Sequence, residues 1–173
     1  MTKFEELSEA FTKARNLFKQ YEEDCKVLAR EIWDKMISFY GIPLGEIALY
    51  NIDSYGAPDK ISGFDYLLMA LREDGYFEFG IGLTLFELPQ KYPYPHYTIV
   101  LPIDISIDKD GKYKARYGED GKVFIIDRKV EASYEKFLDE MFMLIKSEYE
   151  EGLSNMRLQN TFRSIGFKNK EES

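Results

Sequence analysis

Apolar residues at Phe4, Leu7, Phe11, Ala14, Phe18, Tyr21, Cys25, Leu28 and Ile32 recur in alternating steps of three and four. That period holds them on one narrow stripe of a helix, the seam of a coiled coil. Trp33, Met36, Ile37 and Phe39 then widen the stripe, as happens when a helix enters a core. Gly41 and Pro43 close it, so the pattern predicts one helix over residues 2–40. Such a helix is about 57 Å long. A compact domain of this size has a radius of gyration of only about 16 Å. The helix must therefore break, lie along a helix of its own chain, or overhang and pair with another chain. In the last case Phe4, Leu7, Phe11 and Phe18 form a homodimer seam.

Downstream the period changes to two. Phe77, Phe79, Ile81, Leu83 and Leu85 alternate with Tyr76, Glu78, Gly80, Gly82 and Thr84. Tyr97, Ile99, Leu101, Ile103, Ile105 and Ile107 alternate with His96, Thr98, Val100, Pro102, Asp104 and Ser106. Both runs predict half-buried strands. Pro102 lacks the N–H of an interior strand residue and marks an edge or a bulge. Residues 42–50, 112–117 and 122–126 read as shorter strands. Residues 51–63 are rich in turn formers. Residues 64–71 are apolar on both faces, so strand and buried helix stay open there. Tyr134, Leu138, Met141, Ile145 and Tyr149 share one face of a closing helix over residues 131–151. A tail over residues 152–173 follows, with Arg157, Arg163, Lys168 and Lys170 and no acid before Glu171.

Three bends share one plan: REDGY from Arg72, DKDGK from Asp108 and GEDGK from Gly118. Each places glycine third in a three-residue loop, where φ > 0 is required and glycine adopts it without steric cost. Register supports the reading. A loop of Lys109, Asp110 and Gly111 pairs Ile107 with Tyr113 and Ile105 with Ala115, and sets Asp104 against Arg116. A two-residue loop would turn every side chain to the wrong face. The same rule pairs Leu71 with Phe77, Leu67 with Ile81, Tyr117 with Val123 and Ala115 with Ile125, which favours residues 64–71 as strand. A calcium loop fails on spacing. With Gly111 as sixth residue, the first ligand would be Ser106 and the twelfth Tyr117, where a bidentate Glu is needed.

These patterns predict an α+β fold in a single domain spanning residues 1–173. A long N-terminal amphipathic helix leads, an antiparallel β-meander of about five or six strands follows, and a C-terminal helix covers one sheet face. The length of 173 residues and a hydrophobic share of 45% suit one substantial core. A net charge of −8 repels phosphate and suits a basic partner, so nucleic acid contact is expected only through Arg157, Arg163, Lys168 and Lys170. The opening residues carry no signal-peptide apolar core and no run suits a membrane span, which points to the cytoplasm.

Candidate chemistry is thin. His96 is the single histidine and Cys25 the single cysteine, so multi-histidine and multi-cysteine metal sites have no ligands. No metal and no cofactor is expected, and no catalytic residue is assigned. Cys25 lies on the apolar stripe and reads as a buried small hydrophobe. Carboxylates such as Glu135 and Asp139 read as solvated helix faces. Gly80 and Gly82 leave a shallow groove beside Tyr76 and Glu78, which a helix, peptide or ligand can approach. Tyr92 and Tyr94 on a proline-stiffened loop, with His96 at its end, make a candidate partner contact, because little entropy remains to be lost there.

The run from Gly75 through Tyr92-Pro93 to Pro102 resembles the ubiquitin-conjugating and RWD class, in which a helix precedes a meander and a Tyr-Pro turn follows the third strand. No cysteine follows that turn, so thioester chemistry has no nucleophile, and two further strands intervene before the next helix. No family is assigned. The first expectation is a non-enzymatic, cytoplasmic protein-binding module: an acidic inhibitor, an immunity or antitoxin-like protein, or a chaperone-like adaptor. The second is a small-ligand binder or carboxylate-based enzyme on the Gly80/Gly82 face.

Overall fold

Thr2 opens the first helix with a reciprocal cap. Its hydroxyl accepts the Glu5 N–H at 3.2 Å, and the Glu5 carboxylate accepts the Thr2 N–H at 2.6 Å. From there α1 (Lys3–Tyr40) runs 38 residues without a break, until Gly41 turns left-handed at φ 64. The computed structural model describes residues 2–68, 70–86, 96–156 and 168–170, and for residues 96, 152–156 and 168–170 the backbone alone.

The remaining elements are β1 (Ile47–Ile52), β2 (Pro58–Ile61), β3 (Ala70–Leu71), β4 (Phe77–Phe86), β5 (His96–Ile107), β6 (Tyr113–Tyr117), β7 (Phe124–Ile126), α2 (Glu131–Met156) and β8 (Lys168–Lys170). All pairs are antiparallel, in the order β2-β1-β4-β5-β6-β7, with β3 also on β4 and β8 on β5. The α+β architecture expected from the periodicity is the one observed. α2 runs on past Gly152 to Met156, beyond the expected end at residue 151.

One sheet face carries the core. Phe77, Phe79 and Ile81 of β4 and Ile99, Leu101, Ile103 and Ile105 of β5 are buried together with Leu28, Ile32 and Met36 of α1 and Phe137, Leu138 and Met141 of α2. Each such side chain contributes about 1.5–3 kcal/mol by leaving water. The alternation in β4 and β5 is what allows both helices to lie on the same face. The other face is not left to solvent as expected: Val100, Pro102, Asp104 and Ser106 are buried as well, with Tyr50 and Ile52 of β1 on that side. Among the described residues no helix is long and apolar enough to cross a membrane.

Three local expectations are corrected. Residues 64–71 are not a strand: Phe64–Tyr66 form a 3-10 turn, and only Ala70–Leu71 pair with β4. The Leu71–Phe77 pair is as expected, but Ile81 pairs with Leu49 rather than Leu67. The third bend also differs. Gly75 and Gly111 are left-handed at φ 83 and 75, whereas at the third bend Gly118, not Gly121, holds that conformation at φ 69. The loop is thereby one residue shorter, Glu119-Asp120 between Gly118 and Gly121, and β7 shifts by one. Ala115 meets Phe124 and Tyr113 meets Ile126, leaving Val123 and Ile125 exposed. Gly121 is needed for another reason, since a Cβ there would overlap the Tyr117 carbonyl. Lastly, Pro102 lies within the central strand β5. It faces Gly80, while the pairing with β6 stops at Ile103 and that with β8 at Val100. The missing N–H falls in the gap between the two partners, a local edge inside the sheet.

Candidate functional site

The α1 stripe divides in two. Cys25, Leu28 and Ile32 are fully buried, but Phe4, Leu7 and Phe11 are 78%, 71% and 66% exposed on the same stripe. Phe18 lies between the two regimes: it is 44% exposed, and its ring centroid is 6.3 Å from that of Phe77. Of the expected seam, then, Phe4, Leu7 and Phe11 are free and Phe18 is shared with the sheet. The first four turns of α1 project beyond the body.

Tyr21 holds the point of departure. Its ring lies 5.4 Å from the Phe77 ring. Its hydroxyl donates to the Gly75 carbonyl at 3.3 Å and accepts the Ile107 N–H at 3.1 Å. One side chain thus grips the β3–β4 and β5–β6 hairpins together. Burial, first of all, pushes the Tyr21 hydroxyl above its ordinary pKa, so it remains a donor at neutral pH.

Beneath those hairpins, on the opposite sheet face, lies a knot of charge. Asp104 is fully buried and accepts from Arg116 Nε at 2.9 Å and from Arg72 Nη1 at 3.2 Å. Arg116 also reaches Asp74 at 2.5 Å and stacks 3.9 Å from the Tyr76 ring centre. Arg72 reaches Glu119 at 2.8 Å and stands 3.8 Å from Glu78. Burial pushes the Asp104 carboxyl up, and the two arginines bring it only part of the way back. At Asp74 burial acts the same way but is outweighed by the Arg116 hydrogen bond, and its pKa falls below the usual range. The donors of both arginines are turned on carboxylates, so the knot braces the hairpins. The cross-strand partner of Asp104 was legible from register. Arg72, Asp74 and Glu119 were missed, although each sits in one of the acidic Gly bends.

The Gly80/Gly82 groove is occupied from within the chain. A Cβ at Gly80 would stand 2.8 Å from Val100 Cγ1 and 3.0 Å from Tyr50 Cβ, and one at Gly82 would overlap the Tyr50 ring. Tyr50 is 2% exposed. Tyr76 and Glu78, expected along the same groove, belong to the charged knot instead. Tyr92 and Tyr94 lie outside the described residues, and His96 is placed by its backbone, at the start of β5 opposite Phe86. Arg157 and Arg163 also lie outside the described residues, while Lys168 and Lys170 pair through β8 with Val100 and Thr98. Cys25 is buried, and burial first, then Asp24, pushes its thiol up to about 12. Among the described residues no group of three or more His, Cys, Asp or Glu is arranged to hold a metal ion.

Comparison with known proteins finds no counterpart: no family model, no curated protein and no solved structure matches the chain.

Proposed function

We propose that the chain is a non-enzymatic protein-binding module whose contact is the projecting half of α1, and that it takes a helix of its partner along Phe4, Leu7 and Phe11. One observation carries this reading. The heptad stripe that packs the buried half onto the sheet continues in phase through the exposed half. A surface helix without a partner has no need of a seam. An isolated helical segment of about 15 residues is also marginal in water, and burying its apolar side against a second helix stabilises it. The brace at Tyr21 and the charged knot would hold the projection at a fixed angle, which lowers the ordering cost of binding.

The test is photo-crosslinking in cells, with benzoylphenylalanine in place of Phe11 on the seam or Asn16 on the opposite side of the helix. Adducts from position 11 and none from position 16 are expected. No adduct from position 11 above the position 16 background overturns the reading.

A further inference from the structure

We infer that the helix docked on the projecting half of α1 is the same segment of a second copy of this chain, running antiparallel. The inference rests on the docking reading above and names the occupant.

Charge separates along the projecting segment. Glu5, Glu6 and Glu9, with Lys3, lie in its first part and Lys13, Arg15 and Lys19 in its second. Among the described residues none of Glu6, Glu9, Lys13, Arg15 and Lys19 forms an ion pair within the chain. Residues 3–18 hold three basic and three acidic side chains, so the segment is neutral within a chain of net charge −8. A second copy is therefore not repelled there. Laid antiparallel, the acidic part of each copy runs beside the basic part of the other. Laid parallel and in register, like would face like.

The heptad fixes the offset. In an antiparallel pair the first apolar position of one helix meets the second of the other. Placing Phe11 opposite Ala14 of the second copy then sets Leu7 opposite Phe18 and Phe4 opposite Tyr21. The flanks follow: Leu17, 64% exposed, covers Ala10 of the second copy, and Lys3 meets Asp24. In a parallel pair the same flanking positions would put Leu17 against Glu22 and form no ion pair. The antiparallel arrangement thus uses every exposed apolar residue of the projection. Phe4, Leu7, Phe11, Leu17 and Phe18 together offer on the order of 500 Å² of apolar surface per copy, a large part of the roughly 800 Å² that each partner gives a stable interface. The arrangement is isologous and closes on itself as a dimer. Tyr21 of one copy stands level with Phe4 of the other, so the two bodies flank the paired segment from opposite ends, about 26 Å apart along the axis.

Sedimentation of the full chain tests the inference, together with Phe11→Glu and a spin label on Lys3→Cys; the buried thiol of Cys25 stays unlabelled under native conditions. The expected result is a two-chain mass for the native protein, and one-chain mass with cooperative unfolding of the body retained for Phe11→Glu, whose side chain is already exposed in the single chain. The labels should stand roughly 30 Å apart, from 19 residues of helical rise. Labels about 10 Å apart indicate parallel helices and overturn the proposal. A native protein of one-chain mass overturns it too. If that single chain still gives photo-adducts from position 11, helix docking stands and only the second copy is lost. Absence of both overturns both.

Discussion

The ring of Tyr50 lies across Gly82, in the space that a side chain at residue 82 would need. Two adjacent strands, β1 and β4, exchange a large residue for an absent one, and the sheet face closes over the pair. Gly82→Ala should therefore destabilise the protein by about 1–3 kcal/mol through overpacking. The double variant Tyr50→Ala/Gly82→Ala should be less unstable than the sum of the two single changes, because each relieves what the other breaks. Urea midpoints of the four proteins measure the coupling. Strict additivity would mean that the two residues do not meet.

What could be read in advance follows from where the pattern was unambiguous. The α1 stripe and the alternation in β4 and β5 gave element type, face and even the Asp104–Arg116 pair, because only one phase puts all the apolar residues inside. Val123, Phe124, Ile125 and Ile126 are apolar at every position, so period two could not choose a phase, and the turn at Gly118 decided it. Residues 64–71 failed for the same reason. The Tyr50–Gly82 fit was out of reach for another: it depends on which strand lies beside β4, and local spacing carries no record of that. The stripe also could not say where α1 leaves the body, since its first and last heptads read alike.

Arg116 and Asp104 should respond unequally to removal. Asp104 is fully buried and depends on its arginines, whereas Arg116 retains Asp74 when Asp104 is lost. Arg116→Met should thus cost more than Asp104→Asn, about 1–3 kcal/mol, because it leaves the buried carboxylate with the longer Arg72 contact alone. The deficit of Arg116→Met should shrink as the pH is lowered, because Asp104, already raised by burial, then takes up a proton and ceases to be a buried charge. Denaturation midpoints across the acid range report both effects. An equal cost for the two variants would contradict the assigned roles.

The Glu31 carboxyl shifts in the opposite direction to that of Asp104. It accepts from Arg128 Nε at 2.8 Å, Arg128 Nη2 at 2.6 Å and Tyr134 Oη at 2.6 Å, and so ties α1 to α2 and the turn before it. Burial acts to raise its pKa, but these hydrogen bonds outweigh burial and the net shift is downward. The folded value lies below the unfolded one. Its contribution is thus present above the unfolded pKa and is lost as the pH falls through the folded value. Glu31→Gln should cost about 1–2 kcal/mol at neutral pH, discounted for partial exposure, and the gap to the native protein should narrow on acidification below the ordinary glutamate range. A gap that widens instead would reverse the sign assigned here.

Cys25 offers a direct reading of how firmly α1 is seated. The thiol is fully buried between the helix and the sheet, and its pKa of about 12 leaves almost no thiolate at neutral pH. A thiol reagent should therefore react only when α1 lifts from the sheet, and its rate should measure that opening. Tyr21→Phe removes the hydroxyl that grips Gly75 and Ile107, and should speed labelling roughly tenfold, equivalent to about 1.4 kcal/mol. Asn16→Ala, on the outer side of the projecting half, should leave the rate as it is. If both substitutions left it unchanged, Tyr21 would not be the clamp at which the helix leaves the body, and the projecting half would lose the rigid base that favours docking over fraying.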